Sequence, residues 1–116
     1  MPLLPLSLRL GQATVAISGL LDTAAAVNVL PYAIGIQLGA AWDRQTTSVQ
    51  LTGNLAAVEA RGLVVEGIVG QFPPVQLVFA WTQANTIPVL LGQVNFFLEF
   101  DAWFSRSQGV FEIKPK

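Results

Sequence analysis

A mainly β domain, closed or sandwich-like, with one or two short helices, is the fold class this sequence predicts. Three observations carry the prediction. Short apolar stretches with period-two alternation recur along the chain between Gly, Pro and Asn turn signals. Only residues 31–38 and 93–99 suit helix, and both stretches are short. The 116 residues are one domain's worth, so 1–116 reads as a single domain, with no linker, low-complexity segment or fixed-period repeat dividing it.

Taken in order, LSLRL at 6–10 alternates and predicts a strand. QATVAISGLL at 12–21 predicts a second, with Gly11 at the turn between them. VNVL at 27–30 predicts a third strand. Pro31 can open a helix at its first position and Gly39 suits its end, so the helix is expected over 31–38. TTSVQLT at 46–52 and LAAVEAR at 55–61 flank Gly53-Asn54 and predict a hairpin. GLVVEGIV at 62–69 and VQLVFAW at 75–81 are two further strands, separated by GQFPP. IPVLL at 87–91 is a short buried run ending at Gly92, and 93–99 suits one or two helical turns. The tail, 100–105 and 109–113, predicts a hairpin around Ser107-Gln108-Gly109. A weak internal echo links LLDTA at 20–24 and PVLLG at 88–92, each an apolar run followed by a short helix-like segment.

Composition excludes several kinds of chemistry. The chain is 53% hydrophobic and 11% charged. A body of this size buries less than ~70% of its unfolded surface, so some apolar surface is expected at a subunit interface. Net charge is −1 with the charges scattered singly, so neither nucleic acid nor an anionic membrane is expected as partner. Cysteine and histidine are both absent. Their absence removes disulfides, thiolate nucleophiles, Cys-based metal sites and the Ser-His-Asp and Cys-His mechanisms. Acid–base chemistry near neutral pH is left to carboxylates, tyrosine or lysine. No apolar run approaches the ~20 residues of a membrane span, and MPLLPLSLRL, with two prolines and Arg9, lacks the features of a signal peptide. A cytoplasmic location is the default expectation, for a whole protein or a domain of a longer one.

The informative stretch is Leu20-Leu21-Asp22-Thr23-Ala24-Ala25. It puts a carboxylate directly after a hydrophobic strand, on a tight loop of small residues that another chain can approach. The plain alternative is an Asp that caps a turn, a frequent role for Asp-Thr pairs. The other acids carry less. Asp43 beside Arg44 reads as a loop ion pair, and Glu59 with Arg61 as an exposed pair worth ~0–1 kcal/mol. Glu66 is expected to face solvent. Glu99 and Asp101 offer too few oxygens for a hard cation, so no metal and no cofactor are expected. Trp81, Phe96, Phe97, Phe100, Trp103 and Phe104 cluster late in the chain and read as core or dimer packing.

Together, LLDTAA at 20–25, VNVLP at 27–31 and VLLG at 89–92 resemble the retropepsin-like aspartic protease family, nearest to its single-domain, non-viral bacterial members. In order and separation these elements match the family's hydrophobic-hydrophobic-Asp-Thr/Ser-Gly-Ala motif, its apolar strand and its later hydrophobic-hydrophobic-Gly element. The resemblance implies a closed β-barrel with its active site at a homodimer interface. It implies an aspartic endopeptidase in which two Asp22 carboxylates share one proton, as in well-characterised aspartic proteases, and activate a water against a peptide or protein substrate. Thr23 then matches the residue that bonds across the dyad, Ala25 the following Ala, and Gly92 the glycine packed beneath the active-site loop, or in the plain alternative a simple strand-to-helix turn. The hairpin through Thr52, Gly53 and Asn54 occupies the place of the flap; a plain surface hairpin is the alternative. Ala24 departs from the family's glycine. Its methyl can crowd substrate, and a positive φ there would strain it. A catalytically impaired or inactive dimerisation or peptide-binding module, or an unrelated small barrel with Asp22 as a turn residue, are the alternatives that follow.

Overall fold

The computed structural model describes residues 2–93, 95–96, 100–105 and 110–115, with 100–105 and 110–114 described through their backbone. Among these residues the chain is mainly β. Strands β1 (Leu3–Leu10) and β2 (Ala13–Leu21) form a hairpin whose turn holds Gly11 at φ 59°. Then follow β3 (Asn28–Leu30), helix α1 (Tyr32–Gln37), β4 (Ser48–Val49), β5 (Ala60–Ile68), β6 (Val75–Thr82) and β7 (Leu90–Leu91). A separate antiparallel pair joins β8 (Phe100–Ser105) to β9 (Val110–Pro115). The expected tail hairpin is therefore present in its strands, while its 107–109 turn lies outside the described residues. So do most residues of the expected 93–99 helix.

The main sheet has seven strands in the order β1-β2-β7-β3-β6-β5-β4. A further pairing of β1 with β5, Ser7 to Arg9 against Glu66 to Ile68, links the two sides of that order. Alternation in sequence explains which faces turn inward. Leu4, Leu6 and Leu8 of β1, Leu63 and Val65 of β5, and Leu77, Phe79 and Trp81 of β6 all enter one core. Pro5 lies in the part of β1 that β2 alone pairs, where a missing N–H is tolerated. The echo between the two apolar runs has a structural counterpart, since Leu20 and Leu21 pair in parallel with Leu90 and Leu91.

The later half of β6 does not alternate, because both of its faces are covered. Phe79 and Trp81 enter the main core, whereas Ala80 joins Val29, Leu51 and Ala60 in a second, smaller cluster on the opposite face. The chain between β4 and β5 supplies the cover. Here the structure departs from the expected two-residue hairpin. β4 and β5 do pair, Ser48 with Arg61 and Val49 with Ala60, but residues 50–59 form a longer loop. A 3-10 turn spans Gly53–Leu55, with Gly53 at φ 62°. The reason lies in the spacing of Leu51, Leu55 and Val58, which recur at helical rather than strand intervals. All three pack onto the second cluster, so the chain rolls over it instead of zipping.

Helix α1 begins one residue after Pro31, which caps it in an extended conformation. Its first N–H groups bond to the carbonyl of Ala84 and the side chain of Asn85. Gly35 fits α1 onto the core, as a Cβ there would lie 2.1 Å from the Trp81 ring. Trp81 stacks on Tyr32 at 5.6 Å and meets Trp42 edge-on, and the Arg61 guanidinium covers the Trp42 face at 4.5 Å. Trp81 and Phe96 both lie buried in the main core, in line with the core packing expected of the late aromatics, and Trp81 adds ring contacts from α1 and the turn after it. No helix among the described residues is long and apolar enough to cross a membrane.

Candidate functional site

Asp22 follows the last residue of β2, and its N–H extends the parallel pairing by donating to the Leu91 carbonyl at 3.0 Å. The chain then turns at once. The Ala24 N–H donates to Asp22 Oδ1 at 3.0 Å, and the Ala25 N–H donates to the Asp22 carbonyl at 3.1 Å. Asp22 thus shapes its own loop, as the turn-capping reading holds, while its half-buried carboxylate still faces a cleft.

That cleft has a volume of about 380 Å³, within the usual range for small-ligand pockets. Asp22, Ala24 and Ala25 line it together with Thr52, Gly53 and Asn54. Val29, Leu51, Leu55 and Leu90 make much of the remainder apolar. Of the lining residues Asp22 alone carries an ionisable side chain, so any acid–base work in the cleft of one chain falls to it. Six of the eight residues singled out from sequence therefore meet around one space. Thr23 is exposed beside it, and Gly92 is buried beneath the loop.

Gly92 sits where no side chain fits. A Cβ would lie 2.6 Å from the Val27 carbonyl oxygen and 2.8 Å from that of Ala25. Ala24 is a different case. Among the described residues the one non-glycine residue with positive φ is Asn95, so Ala24 carries no left-handed strain. It is exposed and lines the cleft. The Gln50 side chain, also in the lining, donates to the carbonyls of Leu51 and Ala56 and ties the neck of the 50–59 loop.

Three amide side chains that sequence reading passed over hold the Asp22 loop in place. Gln93 donates its N–H to the Ala25 carbonyl at 3.0 Å and its side-chain amide to the Thr23 carbonyl. Asn28, fully buried, accepts the Gly92 N–H at 2.9 Å and donates to the Val78 carbonyl and to Asn95. Asn95 in turn accepts the Val78 N–H and donates to the Gln76 carbonyl, covering the edge of β6 that β3 does not reach. The signal available in sequence was a polar residue inside the apolar run VNVL.

Elsewhere, Arg9 and Glu66 form a two-bond ion pair at 3.1 Å across the β1–β5 pairing. The hydrogen bonds that Arg9 donates hold the Glu66 carboxyl below its ordinary range, and the Glu66 carboxylate that accepts them raises Arg9. Glu59 pairs with Arg61 at 3.6 Å. Asp43 and Arg44 do not pair with each other; both sit in a 3-10 turn, where adjacent side chains diverge. Among the described residues no cluster of three carboxylates offers a metal site. Glu99 and the side chain of Asp101 lie outside the described residues. Comparison of the chain with protein-family models, with curated proteins and with solved structures finds no match.

Proposed function

We propose that the protein is an aspartic endopeptidase that works as a homodimer, each chain contributing Asp22. The observation that carries the reading is the cleft that the Asp22 loop and the 52–54 turn line together. A carboxylate at a strand end, supported by a glycine too tightly packed to carry a side chain, is half of the machinery such a reaction requires. The other half is the Asp22 of a second copy. Two carboxylates about 3 Å apart share a proton, so one activates water while the other polarises the scissile carbonyl. The 50–59 loop acts as the flap over an extended peptide. The linkage of β1 to β5 supports a closed barrel of the retropepsin-like kind.

A second reading has its own observation. The Ala24 methyl stands in the cleft, and Asp22 Oδ1 is already engaged by the Ala24 N–H. On that reading the chain is a peptide-binding dimer with impaired or no catalysis. Cleavage of an unbiased peptide library between acid and neutral pH separates the two. Cleavage that is blocked by a statine-type inhibitor and lost in Asp22→Asn supports the peptidase. Binding without cleavage, with turnover appearing in Ala24→Gly, supports the alternative.

A further inference from the structure

We propose that Asn28 is the positioning residue of the Asp22 loop, fixing Gly92 and, through it, the backbone that holds the carboxylate; its kinetic consequence rests on the peptidase reading above. Asn28 and Thr82 are the two buried polar side chains among the described residues. A side-chain amide has one acceptor oxygen and two N–H donors. Asn28 uses all three functions. Oδ1 takes the Gly92 N–H at 2.9 Å, while Nδ2 gives to the Val78 carbonyl at 3.0 Å and to Asn95 Oδ1 at 3.3 Å. A flipped amide would set donors against the Gly92 N–H and an oxygen against two acceptors, so a single orientation satisfies the site. Asn95 holds that orientation from behind, and does so from a backbone at φ 95°, a conformation that asparagine tolerates better than most residues.

The bonds on either side of Gly92 carry its position to Asp22. Leu91 accepts the Asp22 N–H, and Gln93 donates to the Ala25 carbonyl, so the two neighbours of Gly92 grip both ends of the Asp22–Ala25 turn. Gly92 lies so near the Ala25 and Val27 carbonyls that its displacement has to move the loop. An apolar residue at position 28 would fill the space but leave the Gly92 N–H unpaired and free to shift.

The test compares the parent with Asn28→Leu, similar in shape but without the amide functions, and with Asn95→Gly, which suits the positive φ and removes the brace on Asn28 together with the bonds to Val78 and Gln76. Amide hydrogen exchange is read at Asp22, Ala24, Ala25, Gly92 and Gln93, with the β5 and β6 amides away from Gln76 and Val78 as the internal reference. The expected result for Asn28→Leu is exchange faster by about tenfold or more at those five amides, with the reference amides unchanged. Asn95→Gly gives the same pattern with smaller amplitude, and decides the matter if Asn28→Leu does not fold. Equal acceleration everywhere, or no change at the five amides, overturns the proposal. Where the parent cleaves peptide, kcat in Asn28→Leu falls on the order of 10–100-fold with KM nearly unchanged. A fall in KM-dependent binding alone overturns the positioning role. A parent that cleaves nothing refutes the peptidase reading, while the exchange pattern still decides the role of Asn28.

Discussion

Replacing Gly92 by alanine probes the support of the Asp22 loop with one methyl group. The added Cβ would lie 2.6 Å from the Val27 carbonyl oxygen and 2.8 Å from that of Ala25, both backbone atoms with no free rotamer to swing aside. Ordinary contact is longer by roughly 0.8 Å, so the loop or the segment after β7 has to move. Overpacking of this kind costs about 1–3 kcal/mol. The same movement weakens the bond from Gly92 to Asn28 and that from Gln93 to Ala25, each worth about 1 kcal/mol. The expected loss is about 2–4 kcal/mol, a large share of the ~5–15 kcal/mol typical of a domain. Urea unfolding measures it, and thermal unfolding should show a fall of roughly 8–20 °C. Gly62→Ala is the control, because a Cβ there meets its nearest neighbour, the Thr47 side chain, at 3.7 Å. It should lie within ~0.5 kcal/mol of the parent. A Gly92→Ala protein as stable as the Gly62→Ala control would refute the packing account of the loop.

Three further outcomes are expected. Ala24→Gly should open the cleft and raise peptide turnover severalfold, while lowering stability by about 0.4–1 kcal/mol through added freedom in the unfolded chain; paired kinetic and urea measurements check both signs. Asp22→Asn should abolish cleavage yet keep stability within ~0.5 kcal/mol, because an asparagine oxygen can still accept the Ala24 N–H that shapes the turn. Glu66→Gln tests the β1–β5 ion pair by its pH dependence. The folded-state pKa of Glu66 is depressed, so the stabilisation is present above the unfolded value of about 4.3 and is lost as pH falls through the folded value. A melting-temperature difference from the parent at pH 7 should therefore shrink in acid and at high salt.

The strands and α1 were legible because local signals agreed with the tertiary result. Alternation in LSLRL and the β-branched and aromatic run VQLVFAW survive as β1 and β6, and Gly39 at φ 82° closes the turn after α1. Asp22, with Ala24 and Ala25, was legible as a loop because small residues follow a hydrophobic strand end. The 50–59 segment was misjudged at its turn, since Gly53-Asn54 is a strong local hairpin signal. The spacing of Leu51, Leu55 and Val58 toward the second cluster outweighed it. Of the braces of the loop, the sequence offered one sign, the polar Asn28 inside the apolar run VNVL, and it named no partner. Asn28, Gln93 and Asn95 have no motif, and Asn28 meets Val78, Gly92 and Asn95 only once the strands have paired. The Tyr32–Trp42–Trp81 stack escaped for the same reason, its members being distant in sequence.

The proposed activity depends on Asp22 working with the Asp22 of a second chain. An experimental structure of the protein as it assembles in solution tests it most directly. The account predicts a two-fold dimer with the two Asp22 carboxylates about 3 Å apart across the axis. A monomer, or a dimer in which the two Asp22 side chains open onto separate clefts, would contradict it.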